Sequence, residues 1–284
     1  MNIFSKLKHI TDLTDNEKAI VHYIKEHTED FIRLSAAQIS QQCYVSTSSI
    51  YRLCQKVGVS GLSELKVLVS ASIDSYLKEE EDFDYDYPIK QHQSQYQITH
   101  KLKEVYEQTL ISSQNLLDLE QLRLVVNQMK KAKTIDLYTS AGNLYFAENF
   151  KFQMQEIGIQ VNVPKEEYLQ RLTASSSDDT HLAFIISFGG RGLLMNYFVQ
   201  TLKAVKTPIV LISSTHENPL MCFADYQLFM SSYENHYNKI SSFSTRLSLL
   251  YILDCLYTCF FELDYEHNVE KKLAYYQRMR EFSK

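Results

Sequence analysis

Five short runs rich in β-branched and aromatic residues, TIDLY, IQVNV, HLAFIIS, PIVLIS and YQLFM, alternate with helical stretches between residues 134 and 230. Short β-rich runs that alternate with helical stretches point to a parallel sheet covered on both faces. A sheet covered on both faces takes its helices from the connections. The segments LYFAENFKFQMQEIG, EEYLQRLTAS, GLLMNYFVQTLKAV and the stretch around PLMCFAD fit that role. The pattern predicts a three-layer α/β domain with a five-stranded parallel sheet.

In such a domain ligands sit beyond the carboxyl ends of the strands. Those ends are rich in small and hydroxylated residues: TSAGN with Thr139, Ser140 and Asn143, SFGGRG with Ser187, Gly189, Gly190 and Arg191, and SSTHENP with Ser213 and Ser214. Small residues let the backbone close around an anion, and free N–H groups at helix starts attract it. A phosphate or another compact anion is the expected ligand. The competing reading is that α/β turns use Gly and Ser for geometric reasons alone.

The first 77 residues read as all helix. In LTDNEKAIVHYIKEH, Leu13, Ile20, Val21 and Ile24 share a face, and Thr14 and Glu17 have capping-box spacing. Residues 35–61 hold two helical patterns around a tight break, with Ile39, Cys43, Val45, Ile50 and Leu53 at an apolar seam and Ser40 small enough for close approach. Ser46 reads as the N-cap of the second helix. Thr47, Ser48, Ser49, Tyr51, Arg52, Gln55 and Lys56 are left outside the seam with donors suited to base edges and phosphates, and Lys66 on a third helix is placed to touch phosphate. This is the pattern of a helix-turn-helix DNA reader; a plain helical hairpin with a polar face is the alternative. Tyr44 sits in the turn, where a positive φ would favour Gly.

Six acids between Glu79 and Asp86, then Pro88 and the aperiodic QHQSQYQ, predict an acidic linker over 78–96, read first as a solvated tether. The expected domains are therefore 1–77, a helical DNA-binding domain, and 97–284, the α/β domain. A net charge of −5 means that DNA contact has to come from a local basic face. No apolar stretch approaches the ~20 residues of a membrane span, and MNIFSKLKHITDL lacks a secretory core, so the expected location is the cytoplasm with no membrane partner. Five cysteines at irregular spacing make no disulfide framework, and the nine histidines show no ligand spacing. We expect no metal, no cofactor and no catalytic residues.

The two halves together resemble the MurR/RpiR family of bacterial transcriptional regulators, which join a helix-turn-helix domain to a SIS (sugar isomerase) domain. The likeness rests on LTDNEKAIVHYI, on VSTSSIYRLCQKVGVSGLSELK with Ser46, Arg52, Gly58 and Gly61, on IDLYTSAGN, SFGGRG and NPLMCFAD, and on SSFSTRLSLLYILDCLY with Ser242, Arg246 and Asp254. It implies a regulator of carbohydrate metabolism, a homodimer or homotetramer on a double-stranded palindromic operator, with a phosphosugar or similar anionic effector. The chain departs from the family's G-x-G-x-S-like first loop with Thr139, Ala141 and Asn143. It departs from the S-x-S-G-x-T second loop with Ser187 to Gly192, which has lost two hydroxyls and gained Arg191. One alternative is a phosphosugar isomerase using Glu148, Glu166, Glu167 or His216 as proton shuttle. Another is a ligand-independent regulator with a vestigial pocket.

Overall fold

The computed structural model describes residues 2–77, 83–192, 195–231 and 233–281. The chain separates into two compact units, Met1–Phe83 with Gln114–Leu116, and Asp84–Ser113 with Leu117–Lys284.

The first unit is helical: α1 Ile3–His9, α2 Asp15–Glu26, α3 Thr28–Arg33, α4 Ala36–Gln42, α5 Thr47–Val57 and α6 Leu62–Leu77. Helix α2 starts at the expected capping box, in which the Glu17 N–H donates to Thr14 Oγ1 at 3.4 Å and the Thr14 N–H donates to Glu17 Oε2 at 2.8 Å. Ser35 and Gln38 repeat the device at α4. Ile20, Ile24, Phe31, Ile39, Ile50, Leu53 and Leu65 are fully buried in one core. Each such side chain contributes about 1.5–3 kcal/mol of burial. α1 and α3 are too short for periodicity to single out.

Glu17 does more than cap. It is 1% exposed, and its carboxylate accepts from Lys56 Nζ at 2.9 Å, tying the start of α2 to the last turn of α5. Burial alone would raise its pKa, but the Thr14 N–H and the Lys56 ammonium outweigh burial and hold it below the ordinary value of 4.5. A depressed carboxylate contributes stability that is present above the ordinary value and is lost as pH falls through the folded one. Glu17→Gln should therefore flatten the acid side of the stability–pH curve below about pH 4.5, as followed by urea unfolding of the full chain with far-UV circular dichroism. An acid limb as steep as wild type would contradict this role.

The second unit begins with α7 Gln95–Leu116, whose last three residues belong to the first, and runs α8 Leu119–Lys131, β1 Thr134–Tyr138, α9 Asn143–Glu156, β2 Val161–Asn162, α10 Glu167–Ser175 and β3 His181–Ile186. It continues with α11 Met195–Ala204, β4 Ile209–Ser214, a 3₁₀ turn Met221–Phe223, β5 Tyr226–Met230, α12 Phe243–Glu262 and α13 Tyr265–Glu281. The five strands pair in parallel in the order β2-β1-β3-β4-β5, as the alternation of runs predicts.

Strand residues divide with period two between the sheet's faces. Leu137, Phe184, Ile186, Val210 and Ile212 pack with α8, α9 and α12, whereas Ala183, Ile185, Ile209 and Leu211 pack with α10 and α11. IQVNV contributes only Val161 and Asn162 as strand, at the edge of the sheet. The one acid inside the sheet, Asp136, is fully buried and accepts from Asn162 Nδ2 at 2.8 Å and pairs with His181 Nδ1 at 2.7 Å. Between α7 and α8 the chain breaks at Asp118, whose side chain accepts from the N–H groups of Glu120 and Gln121.

The linker differs from expectation. Residues 78–82 lie outside the described residues, but from Asp84 the chain is folded onto the α/β unit, and α7 starts at Gln95. The reason is chemical: the acidic segment also carries Tyr85, which is buried and stacks on Tyr233 with ring centroids 5.1 Å apart. A tether of acids alone would have stayed in water.

Candidate nucleic-acid interface and strand-end site

Helices α4 and α5 are joined by a turn in which Tyr44 takes φ 55° and leaves its ring 93% exposed. The left-handed conformation anticipated for Gly is thus adopted by a tyrosine, at a cost of roughly 1–2 kcal/mol. Part of the turn's stability comes from Ser40, whose hydroxyl donates to the Val45 carbonyl. Helix α5 ends on Gly58 at φ 80°, its N–H returning to the carbonyls of Cys54 and Gln55.

The exposed side of α5 carries Thr47, Ser48, Tyr51, Arg52 and Gln55, with Ser46 at its start. Arg52 Nη2 donates to Ser49 Oγ at 3.0 Å, and Ser49 Oγ lies 3.0 Å from Ser46 Oγ. This chain holds the guanidinium near the first turn of the helix. Ser46 occupies the N-cap, but its hydroxyl meets those of Ser48 and Ser49 instead of a backbone N–H.

Three expected DNA contacts need correction. Ser49 is fully buried and serves as the prop for Arg52. Lys56 Nζ is engaged by Glu17 and by the Asp12 carbonyl at 2.6 Å, because a buried carboxylate left unpaired would be costly. Lys66 donates to the Leu34 carbonyl, and burial lowers its pKa. Both ammonium groups are engaged by acceptors within the helical unit rather than left free for phosphate.

At the carboxyl ends of the strands, the order β2-β1-β3 places a topological switch between β1 and β3, so TSAGN and SFGGRG flank it. Thr139 is fully buried and donates to the Ile186 carbonyl at 3.0 Å, while its own carbonyl accepts from Gln170 Nε2 at 3.0 Å. It ties the two loops together and has no hydroxyl proton to spare. Ser213, also buried, donates to the Ser214 carbonyl at 3.1 Å. Ser187 Oγ accepts the Gly190 N–H at 3.2 Å and so shapes the turn. Thr139 and Ser213 are structural for the same reason, since buried hydroxyls close their bonds locally; Ser187 is half-buried and uses its oxygen to shape the turn.

What remains on offer is a different set. Ser140 and Arg191 are exposed, Asn143 and Gly189 are half-buried, and Gly190 is buried at φ 65°. Ser214 Oγ is buried without a hydrogen-bond partner, and so is Asn218 Nδ2. The Asn218 amide lies against Gly190: a Cβ at 190 would fall 1.9 Å from Asn218 Oδ1. That oxygen accepts the Leu220 N–H at 2.9 Å, which leaves the amide nitrogen as a donor only. Sequence reasoning missed Asn218. The Asn-Pro pair at 218–219 marks a turn, but only the fold brings it to the GGRG loop.

The carboxylates considered as proton shuttles have local roles. Glu148 pairs with Lys165 at 3.1 Å, Glu166 occupies the N-cap of α10, and Glu167 lies 3.6 Å from Arg171 on the same helix. His216 is exposed, with its ring 6.5 Å from that of Phe188. Among the described residues no helix is long and apolar enough to cross a membrane.

Comparison with known proteins matches both units. Residues 1–76 match the model of the helix-turn-helix domain of the rpiR family, and residues 128–258 that of the SIS domain. An uncharacterised HTH-type transcriptional regulator of Caldanaerobacter subterraneus is 24% identical over 247 residues, covering 87% of this chain and 86% of its own length. The structure of Vibrio vulnificus NanR complexed with ManNAc-6P superposes with a TM-score of 0.61 at 15% identity, covering 100% of both chains. The sugar isomerase domain of an RpiR transcription factor from Sphaerobacter thermophilus gives 0.57 at 14% identity, covering 64% of this chain and 99% of that one.

Proposed function

Because the chain belongs to the RpiR family of helix-turn-helix transcriptional regulators, we propose that it is a cytoplasmic regulator of carbohydrate metabolism whose operator binding responds to a phosphosugar or similar anion. The observation that carries the reading is the union on one chain of an rpiR-type reader with a SIS domain whose strand ends offer donors. Ser46, Thr47, Ser48, Tyr51, Arg52 and Gln55 are the proposed DNA contacts, acting from a homodimer or homotetramer on a palindromic duplex.

Ser140, Asn143, Gly189, Gly190, Arg191, Ser214 and Asn218 are the proposed effector contacts. Two of these supply buried polar atoms without partners, and such atoms cost about 1–3 kcal/mol each until something meets them. An amide nitrogen offers only protons, so its partner is an acceptor, as a phosphate or carboxylate oxygen is. The neighbour solved with ManNAc-6P supports a phosphorylated sugar as that acceptor.

The reading excludes catalysis as the chain's task, which the pairing of Glu148 with Lys165 and of Glu167 with Arg171 supports. Selection of bound duplexes from a random DNA pool, with a coupled aldose–ketose phosphate assay on the same preparation, tests it. A retarded consensus duplex and no turnover are expected. Turnover without DNA retention would replace the regulator with an isomerase.

A further inference from the structure

The loop 233–242 between β5 and α12 is pinned at three places by different parts of the α/β unit. Its floor is Glu234, whose side chain is buried and accepts from the Thr245 N–H at 3.2 Å, Thr245 Oγ1 at 2.6 Å and Lys239 Nζ at 3.2 Å. That carboxylate fixes the loop to the first turn of α12. Its outer side is held by the acidic segment: the Asn235 N–H donates to Asp86 Oδ1 at 2.7 Å and the Ile240 N–H donates to the Asp86 carbonyl at 3.0 Å. Tyr85 stacks on Tyr233, and Tyr87 donates its hydroxyl proton to Asn238 Oδ1.

The third contact reaches the strand-end site. The His236 ring lies 6.2 Å from that of Phe188, at an interplanar angle of 26°. Phe188 stands between Ser187 and Gly189, and its carbonyl accepts the N–H of Ser214 at 3.0 Å. A displacement of the SFGG turn therefore meets His236, and a displacement of His236 meets the bonds at Asp86. On the other side of Asp86, the covalent chain leads back through 78–83 to α6 of the reader unit.

We infer that residues 84–87 form a strap coupling the strand-end site to the chain that enters the DNA reader, with Asp86 as its positioning residue. Asp86 touches neither of the proposed ligands; it acts through the 233–242 loop. The coupling gives the proposed regulator a physical route from an occupant of the SFGG turn to the point where the chain leaves the α/β unit. Its meaning for transcription rests on that functional reading, but the coupling stands or falls without DNA or effector.

Hydrogen–deuterium exchange on the full chain, free of both ligands, tests it. Asp86→Ala removes a charged acceptor, and exchange in 233–242 should quicken roughly tenfold. The diagnostic expectation is that amides of 187–190 quicken too, while those of β1 and α8 stay at wild-type rates. If 233–242 quickens and 187–190 does not, the loop is merely tethered and the coupling is overturned. His236→Ala, at an exposed side chain that leaves Asp86 in place, provides the reverse measurement should Asp86→Ala unfold. It should quicken exchange in 84–87, and unchanged rates there would equally overturn the strap.

Discussion

Arg52→Ala is expected to weaken binding of the selected duplex by about 1–3 kcal/mol, roughly five- to 150-fold, with far-UV circular dichroism unchanged. Its guanidinium stands on the exposed face of α5 and is steadied by Ser49 at 3.0 Å. Steadying lowers the ordering cost of a base contact, so the loss on truncation falls at one position of the duplex. Ser49→Ala should give a smaller loss of the same kind, since it removes the prop and leaves the fork. Fluorescence anisotropy against single-base duplex variants distinguishes the two. An Arg52→Ala variant with undiminished affinity and an unchanged base profile would remove α5 from the major groove.

The second large effect is expected at Gly190. Alanine there adds a Cβ 1.9 Å from Asn218 Oδ1 and 2.7 Å from its Cγ, at a φ of 65° that L residues rarely adopt. Either the GGRG turn opens or the Asn218 side chain leaves its bond to Leu220, and both outcomes dismantle the proposed donor set. Strain of this sort is worth about 1–3 kcal/mol. Thermal shift should register a lowered midpoint together with loss of any stabilisation by phosphosugars. Arg191→Ala, at an exposed side chain, should leave the midpoint alone and weaken the anion only. A Gly190→Ala protein as stable and as responsive as wild type would move the effector site away from this loop.

The sheet was legible because short β-rich runs alternate with helical ones: TIDLY and YQLFM became β1 and β5 residue for residue. The capping box at Thr14 and Glu17 was legible because its two hydrogen bonds lie three residues apart. Long-range partners were the limit. Nothing in the spacing of Lys56 or Lys66 says that the first meets Glu17 and the second the Leu34 carbonyl.

The same limit applies at the strand ends. Composition marked Thr139, Ser187 and Ser213 as anion ligands, and composition was right that hydroxyls gather there. Thr139 and Ser213 spend their protons on the carbonyls of Ile186 and Ser214, and Ser187 accepts the Gly190 N–H. Partnerless buried atoms at the strand ends include Ser214 Oγ, an expected ligand, and Asn218 Nδ2, which had not been singled out as one. The linker misread has a related origin: a charge count treats 78–96 as one solvated segment, but Tyr85 and Asp86 each find a specific partner on the 233–242 loop.

The central claim is that one anion, seated at the strand ends, changes what the reader does on DNA. The most direct measurement is the Kd of the full chain for its selected duplex, by anisotropy at fixed salt, across a panel of sugar phosphates at millimolar concentration that includes ManNAc-6P. At least one should change that Kd by about fivefold or more, and Asn218→Leu should abolish the change while leaving the ligand-free Kd intact. Tight DNA binding that no phosphorylated sugar alters would contradict the claim and leave the chain a reader without a sensor.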